Sequence, residues 1–151
     1  MIQTLKKIWK HRTGDRPEAK GHDVSLAVSA LMVQVMQMDG KMDDAEREEI
    51  VSALRDRFDL DEDEAEALIH RATKASGKAH DLYQFTSRII KEYPIGERAG
   101  IIRELWGVAM ADGHIDPYEE HLIRRTARLI GVQHRQFISA KIAARKGARH
   151  E

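Results

Sequence analysis

Two acidic turns hold the side chains best suited to chemistry. The first, MDGKMDDAEREEI, runs from Met38 to Ile50, and the second, ADGHIDPYEEHLI, from Ala111 to Ile123. Asp39 and Asp112 occupy matched places in them, as do Asp43 and Asp116, Glu46 and Glu119, Gly40 and Gly113, and the apolar Met42 and Ile115. Carboxylates gathered on a tight turn do one of two things. They accept backbone N–H groups at a helix start, or they give oxygen ligands to a hard cation such as Ca²⁺ or Mg²⁺.

Capping explains most of the pattern. Gly40 and Gly113 suit the left-handed residue that ends a helix. Asp43 and Asp116 read as N-caps, Pro117 as the first residue of the helix that follows, and Glu46 and Glu119 as the returning halves of capping boxes. Asp39 and Asp112 are left over. Each stands at the C-terminal end of a helix, where the dipole disfavours a carboxylate by roughly 0.3–1 kcal/mol. Made twice, that placement asks for a positive companion. It is either a Lys or Arg from elsewhere in the fold, or a divalent cation that also takes the free carbonyls of the helix end. Asp39, Asp43, Glu46, Asp112, Asp116 and Glu119 are therefore the candidate metal set. The spacing is not that of an EF-hand: with Asp39 as position 1, Lys41 falls at 3, Asp44 at 6 and Ile50 at 12. Lys41 and His114 also put positive or titratable groups inside the turns.

The elements that carry these turns are helices. Apolar residues recur at helical spacing throughout, only three prolines occur, and no strand-like alternation is present. The pattern predicts a short helix near 2–11, a charged loop, then helices near 24–38, 44–58, 62–75, 81–92, 95–111, 117–130 and 134–146. Ile50, Leu54 and Phe58 form one apolar stripe, and Leu122, Ile123, Ala127 and Ile130 its counterpart. Asp61 and Glu64 form a further capping pair. The doubling extends past the turns: Phe58, Leu60 and Ala65 align with Ile130, Val132 and Phe137 after one deletion. The expected fold is an all-α single globular domain of about seven helices, built from two pseudo-symmetric three-helix repeats. Residues 1–22 read as a short helix and linker, 23–147 as the domain, and 148–151 as a tail.

Composition narrows the function. The chain has 151 residues and no cysteine, which excludes disulfides, thiolate metal sites and thiol catalysis. Formal charge is zero overall but polarised. Residues 39–66 hold 13 acids against 4 bases, residues 121–151 hold 8 bases against 1 acid, and residues 1–22 hold 6 bases against 2 acids. The segment MIQTLKKIWK joins Lys6, Lys7 and Lys10 to Ile2, Leu5, Ile8 and Trp9. It reads as a short basic amphipathic helix, able to lie on an anionic membrane or, the favoured reading, to fold back over the globule. The basic tail lacks aromatic interleaving, so no nucleic-acid partner is expected. Glu66 and His70, four apart, read as a surface ion pair. Trp106 reads as core. No Gly-rich phosphate loop and no Gly-x-Ser-x-Gly elbow is present, and no catalytic set emerges.

The doubled turn, together with DLYQFTS, ERAGIIRELWGVAMADGHIDPYEEHLIRR and the MIQTLKKIW start, resembles the TerB family of tellurite-resistance-associated proteins. The same helical domain occurs in membrane-anchored co-chaperones of the DjlA type. The resemblance covers nearly the whole chain. It implies an all-α globule, divalent metal on the acidic residues of the Asp-Gly turns, and stress-response complexes near the inner membrane. A non-enzymatic cation-binding or protein-interaction module is the expected function, with a protein partner and a cytoplasmic place, peripheral at the inner membrane. A metal-free helical adaptor is the alternative, and a metal-assisted hydrolase a second one. Any part in tellurite chemistry would be indirect, since a reductase would want thiols or a redox cofactor.

Overall fold

The computed structural model describes residues 24–37, 42–75, 81–111 and 113–149. Among these, seven helices and no strand occur: α1 (Val24–Met36), α2 (Asp44–Phe58), α3 (Glu62–Ala75), α4 (Asp81–Glu92), α5 (Ile95–Ala109), α6 (Pro117–Leu129) and α7 (His134–Arg149). They follow the expected spans closely. The main differences are that α1 and α5 each stop two residues early, α5 in the turn before Asp112, and α7 runs three residues longer. The expected helix near 2–11 lies outside the described residues.

Helix α1 is apolar all round, and ten of its thirteen residues are buried. A helix of that kind must be wrapped on every side. Helices α2, α3, α4, α5 and α6 all pack against it, while α7 lies chiefly along α5. The one polar group in its interior is satisfied locally: the Ser29 hydroxyl donates to the carbonyls of Ser25 (2.8 Å) and Leu26 (3.1 Å). The surrounding helices turn apolar stripes inward. Ile50 and Leu54 of α2, Leu82, Phe85 and Ile89 of α4, and Ile123 and Ala127 of α6 with Ile130 just past it are buried, whereas Phe58, Leu122 and Tyr93 are half-buried.

Trp106 is fully buried, as its position predicted. Its ring meets that of Phe137 at 5.1 Å between centroids, and its Nε1–H donates to the Phe137 carbonyl at 3.3 Å. Lys141 lies over the Trp106 ring and Arg124 over the Phe137 ring. Both cations reach Glu120, at 3.2 and 3.4 Å. Aromatic burial and charge thus pin α5, α6 and α7 together at one junction.

Two arginines fasten the rest. Arg57 of α2 makes a bidentate pair with Glu104 of α5, its Nε donating to Oε1 at 2.6 Å and its Nη2 to Oε2, and it lies over the Tyr93 ring. Arg98 donates to three backbone carbonyls, those of Tyr93 (2.9 Å), Ile130 (2.9 Å) and Ile90 (3.2 Å). These carbonyls belong to the ends of α4 and α6, where helical partners run out and the dipole is negative.

Candidate functional site

The local chemistry of the two turns matches at both ends of the helix that follows. Asp43 caps α2: its Oδ1 accepts the Glu46 N–H at 2.8 Å, and Glu46 Oε1 accepts the Asp43 N–H at 2.9 Å. Asp116 caps α6 in the same way. Its Oδ1 accepts the Tyr118 N–H at 2.8 Å, Glu119 Oε1 accepts the Asp116 N–H at 2.9 Å, and Pro117 begins the helix. Both helices then end on a left-handed residue, Asp59 (φ 55°) and Gly131 (φ 78°). The next N–H reaches back five residues in each case, Leu60 to Arg55 at 3.2 Å and Val132 to Ala127 at 2.8 Å. Gly113, at φ 98°, takes the left-handed conformation expected of it, and Gly40 lies outside the described residues. The helices that follow the two turns, α2 and α6, thus start and stop alike.

The burial of the two glutamates is not a usual property of a capping box. Glu46 is 1% exposed and Glu119 2%, and the second carboxylate oxygen of each, Oε2, is buried as well. Glutamate is among the residues least often buried outright. Their aspartate partners differ, Asp43 being exposed and Asp116 half-buried. Each turn thus offers a buried glutamate and a more exposed aspartate, both already holding a backbone N–H through one oxygen.

Asp39 and Asp112 lie outside the described residues, so four of the six candidate ligands are placed. Those four do not make a metal site by themselves. Each turn contributes one Asp and one Glu, and among the described residues no three His, Asp or Glu side chains gather closely enough to hold an ion. A cation at either turn would need Asp39 or Asp112 as a third carboxylate, with Asp43 or Asp116 and the buried Glu beside it. His114, in the second turn, is exposed.

Between α2 and α3 the surface is acidic. Helices α2 and α3 enclose a shallow cleft of about 450 Å³ whose walls include Glu48, Asp56, Asp59 and Glu62, relieved by Arg47 and Arg55. Glu66, read from sequence as the partner of His70, has Arg47 Nη2 3.1 Å from its Oε1 instead, an ion pair without hydrogen-bond alignment. That contact joins α2 to α3 across the cleft. It depends on how the two helices meet, which helical spacing within α3 does not register. Among the described residues no helix is long and apolar enough to cross a membrane.

The family model described as tellurite resistance protein TerB matches residues 25–142. No curated protein and no solved structure matches the chain.

Proposed function

Since the chain belongs to the TerB family over residues 25–142, we propose that it is a non-enzymatic binding module whose doubled turn takes a divalent cation and whose acidic face takes a protein partner. The observation that carries this reading is the matched pair of buried glutamates, Glu46 and Glu119, each beneath an aspartate cap. Keeping carboxylates out of water is costly, and doing so at two equivalent turns beside a further aspartate suits a hard cation. Asp39 with Asp43 and Glu46 would hold it at one turn, and Asp112 with Asp116 and Glu119 at the other. A bound ion supplies positive charge that fixes the turn and offsets the acidic run from residue 39 to 66. The stress-response association suggested by the family's description then operates through partner recruitment, because a cysteine-free chain offers no thiol for oxyanion reduction.

A second reading is supported by the hydrogen bonds themselves. Asp43, Glu46, Asp116 and Glu119 all serve as caps, and a helical adaptor needs nothing more of them. Following the melting temperature in Ca²⁺, Mg²⁺ and Mn²⁺ separates the two. A cation held at 100 times its Kd stabilises by about 2.7 kcal/mol, which is roughly 5–11 °C for a chain of this size. Melting temperatures unmoved by millimolar metal leave only the adaptor.

A further inference from the structure

Helix α7, HRQFISAKIAARKGAR, holds five Lys or Arg and no acid. Phe137, Ala140 and Ala144 turn inward and are buried. The opposite face carries Ile138 and Ile142, one turn apart and 37% and 46% exposed. Arg135, Arg145 and Lys146 are exposed and share that face, at helical spacings from the two isoleucines. Lys141 lies on the flank and is engaged with Glu120. The outer side of α7 is thus a short apolar ridge framed by positive charge. The cleft of about 450 Å³ between α2 and α3 has the converse make-up. Five acids line it against two arginines, and Val51 and Leu60, both half-buried, give it an apolar part. Its arginines are turned to the cleft's own groups: Arg47 pairs with Glu66, and Arg55 Nε donates to the Leu60 carbonyl at 3.4 Å.

We propose that α7 of one copy of this chain docks on the α2–α3 cleft of a second copy. Ile138 and Ile142 meet Val51 and Leu60, while Arg135 and Lys146 meet the acids at the two ends. The lengths agree. Arg135 and Lys146 are separated by about 16 Å of helix axis, and Glu48 and Asp59 by the same number of residues. Charge complementarity selects this occupant. Pairing α7 with α7 sets bases against bases, and an anionic lipid surface takes a broader apolar face than two partly exposed isoleucines supply. Each copy has one ridge and one cleft, so the contact is heterologous and adds copies head to tail. The inference names the partner of the acidic face, and it rests on the reading of that face as a docking surface, not on the cation.

Light scattering on the full chain in EDTA tests it and keeps the cation out of the outcome. At about 20 mM salt the mean mass is expected to rise from 17.2 kDa with protein concentration, and to fall back as salt shortens the reach of the charges. Ile138→Gln with Ile142→Gln removes the ridge, and Asp56→Lys with Glu62→Lys reverses one residue on each cleft wall. All four positions are exposed, and circular dichroism checks that each variant keeps its helices. Each variant alone is expected to associate at least ten-fold more weakly than the native chain. Mixed, they retain one good cleft and one good ridge between them, so they are expected to form a one-to-one dimer that grows no further. A native chain that stays at 17.2 kDa up to millimolar concentration overturns the inference, and leaves the cation to its own titration. Association that survives unchanged in either variant, or that the mixture fails to restore, overturns it as well. So does a ridge that proves to serve lipid: native binding to phosphatidylglycerol vesicles, lost in Ile138→Gln with Ile142→Gln, in a chain that does not self-associate.

Discussion

Replacing Glu46 or Glu119 separates the two roles a buried carboxylate can have in a capping box. Each uses Oε1 to accept the N–H of its own cap, at 2.9 Å in both turns. Alanine removes that acceptor, which costs about 1 kcal/mol by analogy with other caps. It also removes one buried methylene beyond Cβ, about 0.8 kcal/mol more. The sum is close to 2 kcal/mol per site, or roughly 4–8 °C in melting temperature for a chain of this length. Glutamine keeps the carbonyl acceptor and the shape and gives up only the charge. In EDTA at pH 7, differential scanning calorimetry should therefore find Glu46→Ala and Glu119→Ala lower by that amount, and the Gln variants within about 0.5 kcal/mol of native. If Gln costs as much as Ala without metal, the negative charge itself is used inside the apo protein, and the capping argument for these residues is wrong.

Three further effects follow from the contacts. Arg98→Ala strips three helix-end carbonyls of their donor and is expected to cost about 2–3 kcal/mol, with Arg98→Lys recovering part of it, by urea unfolding; a loss under 0.5 kcal/mol would mean that solvent replaces the guanidinium freely. The Glu120 carboxyl is held below its ordinary value of 4.5, first by the Lys141 hydrogen bond and next by Arg124. The stability it adds is therefore present above about pH 4.5 and is lost as pH falls through the lowered pKa. Because the pair is partly solvated this amounts to less than about 1 kcal/mol; the melting-temperature gap between native and Glu120→Gln should close toward pH 3, and a gap constant from pH 7 to 3 would contradict the assignment. Asp59→Gly relaxes a left-handed backbone that its counterpart Gly131 adopts without cost, and should raise stability by up to about 1 kcal/mol in thermal melts, where any decrease would refute the strain argument.

The helices were legible because every signal that marks them is local. Apolar spacing, Asp-x-x-Glu caps and Pro117 each act within a turn or two, so α2, α3 and α6 begin where those residues place them. The apolar run of α1 likewise carries its own reason for being buried. Long-range fastening was not legible. Arg98 binds carbonyls, which have no sequence signature, and Arg57 meets Glu104 across forty-seven residues. The same holds for the burial of Glu46 and Glu119. A capping box normally sits at the surface, and the burial of these two glutamates is a tertiary property that the box itself does not encode.

The central claim is that the doubled turn of this TerB domain binds a divalent cation, with Asp39 and Asp112 completing what the buried glutamates begin. Isothermal titration calorimetry of the EDTA-treated chain with Ca²⁺ and with Mg²⁺ tests it most directly, beside the Asp39→Asn, Asp112→Asn double variant. Saturable binding of one or two ions by the native chain, abolished in the variant, is the predicted result. Absence of saturable binding in the native chain, or binding that survives in the variant, would contradict it.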